Sequence, residues 1–349
     1  MPILSLPKGL GLNYGLGVDL GTSNVAIYVR GRGIVLREPC VVAVSKDTGE
    51  VLAAGEDARQ MLGRTPANVI ASRPLHDGVV ADFTVVQKML KRLFAKVCGR
   101  RLVKPMAVVS VPSDATSVER RAVLEAATTA GAKRAIPLEG TVAAAIGAGL
   151  PVMGATGSMV VTIGGGVTDI AVISLGGIVV SDCARLAGEK MDEVLVRYVK
   201  RAHNLMIGER TAEEVKIAIG SAWAMDEERE MAVRGRDMVT GLPKTIQVNS
   251  VEVREALSEA VTAIIDRIRA LLENTPPELA ADIIDRGITL AGGGALLRGL
   301  DRRIAHHTHV SVRVAEDPMS CVAIGAGQYL DVMKSFPRPR QTTWRMDAG

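Results

Sequence analysis

An internal repeat constrains the fold of this chain more than any other feature of its sequence. The segment 18–27, which reads VDLGTSNVAI, is similar to the segment 161–172, which reads VTIGGGVTDIAV. Each has an apolar run, a turn of glycine and hydroxyl residues, and a second apolar run, and this pattern predicts a β-hairpin. Glycine lets the backbone approach a ligand closely, and successive backbone N–H groups form a nest that binds anions. Two such hairpins that face each other across a cleft would be able to bind a polyphosphate.

A third glycine run adds to this evidence for a phosphate ligand. The sequence Ala291-Gly-Gly-Gly-Ala-Leu-Leu297 follows an apolar run that predicts a strand, and we expect it to open a helix. The N-terminus of a helix presents free backbone N–H groups, which can meet the phosphate or sugar of a nucleotide.

Strand-like and helical patterns alternate along the chain, which indicates the α/β class with a mixed sheet. Thr116 with Glu119, and Thr211 with Glu214, have the spacing of a capping box and predict the starts of two helices. The 349 residues are too many for one compact core, so we expect two domains.

The composition excludes several classes of protein. Apolar residues make up 48% of the chain and charged residues 23%, which excludes a disordered protein. Aromatic residues at 3% argue against a base-stacking platform, and a net charge of +4 does not indicate a polyanionic partner, so we expect no nucleic acid. The four cysteines lack the spacing of a zinc site or a disulfide framework.

One uncharged segment, 140–168, is long enough to cross a bilayer. Its glycines and Pro151 would interrupt a spanning helix, so it predicts a buried helix, a loop and a buried strand instead.

The three glycine turns resemble those of the actin-like ATPase superfamily, and longer stretches resemble one family within it. These stretches are GIVLREP at 33–39, MLGRTP at 61–66, RPLHDGVVADF at 73–83, LMIGERTAEEVK at 205–216, RGRDMVTGLP at 234–243 and TPPELAADIIDR at 275–286. They are similar to segments of the bacterial cell-shape proteins MreB and Mbl, and the resemblance runs from about Leu16 to Met333.

This resemblance implies an actin-like two-lobed fold, in which each lobe is an RNase-H-like core with a small insertion subdomain. The core of lobe I would comprise residues 1–40, 74–150 and 318–335, with its insertion at 41–73. The core of lobe II would comprise 151–190 and 251–317, with its insertion at 191–250. The tail at 336–349 is expected to be disordered, since it contains Pro337, Pro339 and three arginines.

The resemblance also implies that ATP or ADP and Mg²⁺ occupy the cleft between the lobes. The first phosphate turn would use Asp19, Gly21, Thr22, Ser23 and Asn24, with Asp19 holding Mg²⁺ through water. The second turn would use Gly164, Gly165, Gly166 and Val167. The nucleoside would contact Glu213 and Lys216 on one helix and Gly293, Gly294, Ala295 and Leu296 in the third turn.

Two positions of this chain lack acidic residues that the family uses for hydrolysis. Thr162 stands where the family has an aspartate that holds the metal, and it aligns with Asp19 in the internal repeat. Gly140 stands where the family has the glutamate that positions the attacking water. Glu139 is a possible weak substitute, and Asp19 would be the one carboxylate left at a matching position. We therefore expect nucleotide binding with weak or absent hydrolysis, and the catalytic residues stay unassigned.

The family resemblance further implies a filament subunit at the inner face of the cell membrane. Its partners would be copies of itself in head-to-tail filaments that pair as double protofilaments, the anionic membrane surface, membrane proteins of cell shape and wall synthesis, and MreB paralogues. No acidic residue lies between Phe83 and Ser113, and this stretch carries seven cations. Its loop is predicted to insert Leu102 and Val103, with Arg100, Arg101 and Lys104 contacting anionic lipid. The apolar N-terminal segment, with Ile3, Leu4 and Leu6, is a second candidate anchor.

Three alternatives stay open at this point. The chain could be a competent actin-fold ATPase, or a non-polymerising partner of a fuller MreB paralogue. The apolar stripe Val86, Met89, Leu90, Leu93 and Val97, within the basic stretch, could be core and not a membrane-facing surface.

Overall fold

The computed structural model of this protein describes residues 15–99 and 104–333. Several predictions fall outside these ranges. They concern the loop residues Arg100, Arg101, Leu102 and Val103, the apolar N-terminal segment, and the tail at 336–349.

Lobe I is built on a mixed sheet, which contains the first hairpin of the repeat. Its elements in chain order are β1 (Gly15–Leu20), β2 (Asn24–Val29), β3 (Gly33–Pro39), β4 (Val42–Ser45), β5 (Val51–Ala54), α1 (Glu56–Arg59), β6 (Val69–Ser72), β7 (Leu75–His76), β8 (Val79–Val80), α2 (Phe83–Cys98), β9 (Met106–Val111), α3 (Ser117–Thr129), β10 (Arg134–Glu139) and α4 (Gly140–Gly147). The sheet order is β10-β9-β1-β2-β3, in which β1, β9 and β10 are parallel and β2 is antiparallel to both of its neighbours.

Lobe II repeats this plan. Its elements are β11 (Ser158–Ile163), β12 (Thr168–Ser174), β13 (Gly177–Ala184), α5 (Gly188–His203), β14 (Leu205–Met206), α6 (Glu209–Ile219), β15 (Glu230–Asp237), β16 (Pro243–Asn249), α7 (Ser250–Glu273), α8 (Pro277–Arg286), β17 (Ile288–Ala291), α9 (Leu300–Thr308) and β18 (Val312–Val314). The chain then returns to lobe I, where α10 (Cys321–Val332) packs on α4 and β1. The sheet order β18-β17-β11-β12-β13 has the same strand directions as the sheet of lobe I. The internal repeat is therefore a duplicated topology.

Each lobe carries a smaller sheet. In lobe I, β4, β5 and β6 form it, and in lobe II, β14, β15 and β16 form it. These sheets lie within the predicted insertions, while the domain boundaries given above stay a prediction.

Helices α4 and α10 cross at very short range where the chain returns to lobe I. A Cβ atom on Gly147 would lie 1.9 Å from the carbonyl oxygen of Cys321, and one on Gly325 would lie 1.7 Å from that of Ala143. Any side chain at either glycine would push the helices apart, so this crossing fixes how the C-terminal helix is seated.

The capping-box patterns gave one correct and one wrong prediction. Thr116 caps α3, since its Oγ1 accepts a hydrogen bond from the Glu119 N–H at 3.2 Å and the Glu119 carboxylate accepts from the Thr116 N–H at 2.7 Å. Helix α6, however, begins at Glu209 after Gly208, with no side-chain cap. Thr211 lies within the helix, because the helix extends one turn further towards the N-terminus than the pattern predicts.

The apolar stripe of α2 is core. Val86, Met89, Leu90 and Leu93 are at most 1% exposed. None of the described helices is long and apolar enough to cross a membrane. The uncharged segment 140–168 instead forms α4, a loop and β11, as predicted.

Candidate nucleotide-binding cleft

A cavity of about 480 Å³ lies between the tips of the two repeated hairpins. This volume is within the usual range for small-molecule sites. From lobe I the cavity is lined by the predicted residues Asp19, Gly21, Thr22, Ser23 and Asn24. From lobe II it is lined by the predicted residues Gly164, Gly165, Glu213 and Lys216, and by Gly293, Gly294 and Leu296 of the third turn.

Three predicted residues do not line the cavity. Gly166 packs against Thr22 and Asp77, since a Cβ atom there would lie 2.6 Å from Thr22 Oγ1. Val167 packs against Gly78 on the other side of the cleft. Ala295 is buried, at 3% exposure.

The two hairpin tips have the same main-chain geometry. The Gly21 N–H donates to the Asn24 carbonyl at 3.0 Å, and the Gly164 N–H donates to the Val167 carbonyl at 2.9 Å. In both turns, the N–H of the first residue thus donates to the carbonyl of the residue three positions later. The backbone between these two residues faces the cleft. Sequence similarity alone predicted this equivalence.

The tips are in direct contact with each other. A Cβ atom on Gly165 would lie 2.0 Å from Ser23 Oγ, so no side chain fits there without a shift of one turn. The hydroxyl of Ser23 donates to Glu189 Oε1 at 3.2 Å, and the Gly78 N–H donates to Thr22 Oγ1 at 3.0 Å. The hydroxyls of the first turn are therefore held by protein partners.

Helix α6 brings Glu213 and Lys216 to one wall of the cavity, on the same face as predicted. Lys216 Nζ lies 2.8 Å from Asp192 Oδ1 and donates to the Gly188 carbonyl at 2.9 Å. Burial raises the pKa of Asp192 to about 6, and the nearby Lys216 ammonium opposes this shift. Sequence reasoning missed Asp192, because an acid inside an amphipathic helix carries no local signal of its partner.

The third glycine run differs from its prediction. Residues Gly293–Leu296 form a short 3₁₀ turn, and the following helix α9 begins only at Leu300. Gly292, with a φ of 82°, begins this turn, and a Cβ atom there would lie 2.3 Å from the Ile163 carbonyl oxygen. The turn therefore packs directly on the end of β11.

Two carboxylates flank the end of β9, the half-buried Asp19 and the buried Asp169. Asp19 accepts a hydrogen bond from Ser110 Oγ at 2.9 Å, and Asp169 Oδ2 accepts one from the Ser113 N–H at 3.0 Å. Burial raises the pKa of each to about 6, and these hydrogen bonds oppose the shift. Within the described residues, Asp169 Oδ1 is buried without a hydrogen-bond partner.

Asp169 is a second carboxylate near the hairpin tips, at a position that the expectation about Asp19 did not consider. It pairs with Thr162 across the β11–β12 hairpin, where Asp19 pairs with Ala26 in the first hairpin. The repeat therefore carries its acids on opposite strands. An alignment of the first strands alone could not find Asp169, although the comparison of the second strands, Ala26 against Asp169, shows it.

These donors fit a magnesium ion held jointly with a nucleotide. Mg²⁺ prefers oxygen ligands and is usually bound by one or two carboxylates together with phosphates and waters. Asp19 supplies such a carboxylate on the cavity wall, and the buried Asp169 adds negative charge and an unpartnered carboxylate oxygen on the neighbouring hairpin. In the described part of the chain, no three His, Cys, Asp or Glu side chains converge into a self-sufficient metal site.

The two departures from the family pattern have different surroundings. Thr162 Oγ1 donates to the main-chain carbonyl of Asp169 at 3.1 Å, so this hydroxyl is already used. Gly140 begins α4 in open space, with only the Val111 carbonyl within 4 Å of a Cβ atom placed there. Glu139 Oε1 accepts from Arg120 Nη1 at 2.8 Å, so the carboxylate of the possible substitute is engaged in an ion pair.

Comparisons with known proteins agree with this geometry. The family model described as MreB/Mbl protein matches residues 13–338. The chain belongs to the MreB/Mbl family. It is 52% identical to the cell shape-determining protein Mbl of Bacillus subtilis over 324 residues, covering 93% of this chain and 97% of Mbl. It is 51% identical to the cell shape-determining protein MreB of Escherichia coli K12, over 91% of this chain and 93% of MreB.

The fold comparison extends to a ligand-bound member of the MreB/Mbl family. MreB5 of Spiroplasma citri, solved with AMPPNP and with ADP, superimposes with a TM-score of 0.88 in both forms. The AMPPNP form has 39% identity over 92% of this chain and 97% of MreB5. The predicted actin-like two-lobed α/β fold is thereby confirmed.

Proposed function

We propose that this protein binds ATP or ADP with Mg²⁺ in the cleft and assembles into filaments that help to determine rod cell shape. The observation that carries the proposal is the cavity between two equivalent glycine turns, with Lys216 and Glu213 on its wall. The names of the relatives and the nucleotides bound to MreB5 support it.

The residues of the cleft have distinct roles in this proposal. Backbone N–H groups of the two turns bind the phosphates, because they form nests at the tips of rigid hairpins. Glu213, Lys216 and the third turn contact the nucleoside. Asp19 and Asp169 would hold the magnesium ion, which supplies positive charge to the phosphates.

Hydrolysis is proposed to be weak. An attacking water needs an acceptor within hydrogen-bond reach. Gly140 has no side chain, and Glu139 is paired with Arg120. Thr162 offers a hydroxyl that is already bonded to the main chain.

A competent ATPase is the second candidate, and Asp169 is the observation that favours it. This acid retains negative charge beside the position where the family has its metal-binding aspartate. ATP affinity and phosphate release, measured on one preparation, distinguish the two. Tight binding with very slow release supports the first proposal, and release as fast as that of a relative with both acids supports the second.

The proposed cellular position is cytoplasmic, on the inner face of the membrane, with wall-synthesis proteins or an MreB paralogue as further partners. The basic stretch supports this only in part. Lys88 and Arg92 donate to main-chain carbonyls of residues 49–52, and Lys96 pairs with Glu38. These three cations therefore fasten α2 to neighbouring strands. Lys104, beside the predicted insertion loop, is exposed.

A further inference from the structure

We propose that Arg73 and Glu189 are positioning residues that hold the two phosphate turns together and so determine how long a nucleotide stays bound. We call them the interlobe pair. This inference rests on the proposed binding of nucleotide in the cleft, and it adds two residues that do not line the cavity.

One carboxylate oxygen joins the two lobes. Glu189 Oε1 accepts a hydrogen bond from Ser23 Oγ at 3.2 Å and lies 3.3 Å from Arg73 Nη1. Ser23 is in the first phosphate turn and Arg73 follows β6, so both belong to lobe I. Glu189 is in the first turn of α5, in lobe II.

The main chain of Glu189 is fixed to the second phosphate turn. Its N–H donates to the Gly165 carbonyl at 2.8 Å, and the Gly188 N–H donates to the Gly164 carbonyl at 3.1 Å. Glu189 therefore moves with the second turn, while its side chain holds Ser23 of the first. Separation of the turns breaks the contact of Glu189 with Ser23.

Arg73 connects this contact to the small sheet of lobe I. It directly follows β6, the last strand of that sheet. A second cation of the same region, Arg59, lies 4.0 Å from Glu213 on the cavity wall. The small sheet and α1 thus have two charged contacts with lobe II. Of these two, the contact at Glu189 is the one whose carboxylate also accepts from a phosphate turn, through Ser23.

The surroundings make the interlobe pair stronger than an ordinary surface pair. The side chains of Arg73 and Glu189 are 19% and 24% exposed, so solvent screens them only partly. Removal of one partner leaves the other charge poorly solvated in the closed cleft. The open state, where water reaches both groups, has no such penalty, so loss of either partner shifts the protein towards opening.

A nucleotide whose phosphates lie between the turns loses its contacts with one turn when they separate, so separation of the turns favours its escape. The interlobe pair exists only in the closed state, so its loss favours the open state in the free protein and in the complex. Loss of the pair should therefore raise the dissociation rate constant, and it should not lower the association rate constant.

The test is stopped-flow measurement of a fluorescent ATP analogue with Mg²⁺, on the full chain. Glu189→Gln keeps the shape and the acceptor for Ser23 but removes the charge, and Arg73→Gln removes the cation. Each should raise the dissociation rate about tenfold, which corresponds to about 1.4 kcal/mol. The double variant should dissociate no faster than either single variant, because both remove the same contact. Arg73→Lys, which keeps the cation, should restore slow dissociation in part.

Lys190→Gln is the matched control, since Lys190 is next to Glu189 but, among the described residues, forms its ion pair along its own helix with Glu193. Its dissociation rate should equal that of wild type. Unchanged rates in Glu189→Gln and Arg73→Gln, or single effects that multiply in the double variant, would overturn the interlobe pair while leaving nucleotide binding intact. Absence of binding by wild type would overturn both proposals.

Discussion

The carboxylates of the cleft determine its chemistry at the scale of single residues. Asp19 lines the cavity, and Asp169 is buried at the base of the second hairpin turn, opposite Thr162. Desolvation raises the pKa of each to about 6 from an ordinary value of 3.8. Near neutral pH they are ionised in a poorly solvated place. A magnesium ion relieves this cost, so metal and nucleotide are expected to bind together.

The raised pKa of Asp169 predicts a pH-dependent stability in the absence of ligand. Between pH 4 and 6 the folded state binds more protons than the unfolded state, so stability falls as pH rises. The stabilising contribution of Asp169 to the free energy of unfolding is fully present below about pH 4 and is lost by about pH 6, a change of about 2–3 kcal/mol. Asp169→Asn cannot ionise, so urea unfolding should show its stability rising relative to wild type between pH 4.5 and 7. If the unfolding free energies of wild type and Asp169→Asn differ by the same amount across this pH range, this account is contradicted.

Restoration of both missing acids tests the reason for weak hydrolysis. Gly140→Glu has room for its side chain, and Thr162→Asp returns a carboxylate beside Asp169. Together they should raise phosphate release more than the product of the single effects, because metal and water must both be placed. A double variant that releases phosphate no faster than wild type would show that these positions do not limit the rate.

At the scale of elements, the hairpins could be predicted from sequence and their long-range partners could not. Each turn has its glycines and hydroxyls within a few residues, so the repeat located both tips and the cleft. Asp192 and Glu189 act through residues distant in sequence, and neither lies in a recognisable motif. The predicted starts of α6 and α9 were wrong. Tertiary packing extends α6 towards its N-terminus, and it replaces the predicted first turn of α9 with the 3₁₀ turn Gly293–Leu296.

The loop after α2 carries the membrane prediction. Leu102→Ser with Val103→Ser should greatly reduce flotation with anionic liposomes, because the apolar contacts at the headgroup boundary are lost. Lys88→Gln is a matched control from the same basic stretch, since Lys88 is bonded to the Gly49 carbonyl, and it should float like wild type. If the loop variant floats as well as wild type, the loop is not the membrane anchor, and the N-terminal segment becomes the candidate.

At the scale of the whole molecule, the two lobes have the same topology and meet where the tips of the two phosphate turns touch. A ligand that contacts both phosphate turns binds the closed form better than the open form, and so shifts the population towards closure. A head-to-tail contact that does not complete a ring repeats along a filament. If filaments are built from closed subunits, ATP and Mg²⁺ should favour filament formation, and the sedimented fraction of the protein should therefore increase. Electron micrographs with only monomers, across nucleotides, salt and lipid, would favour the non-polymerising partner.

The most direct test of the central claim is calorimetric titration of ATP and Mg²⁺ into wild type and Gly165→Ala. A Cβ atom at Gly165 would lie 2.0 Å from Ser23 Oγ, so the variant must move a phosphate turn. Gly208→Ala is the control, because that position has open space and a φ of −86°. The account predicts that wild type and Gly208→Ala bind alike and that Gly165→Ala binds at least about tenfold more weakly, a loss of about 1.4 kcal/mol. Equal affinity in all three proteins would contradict binding between the two turns.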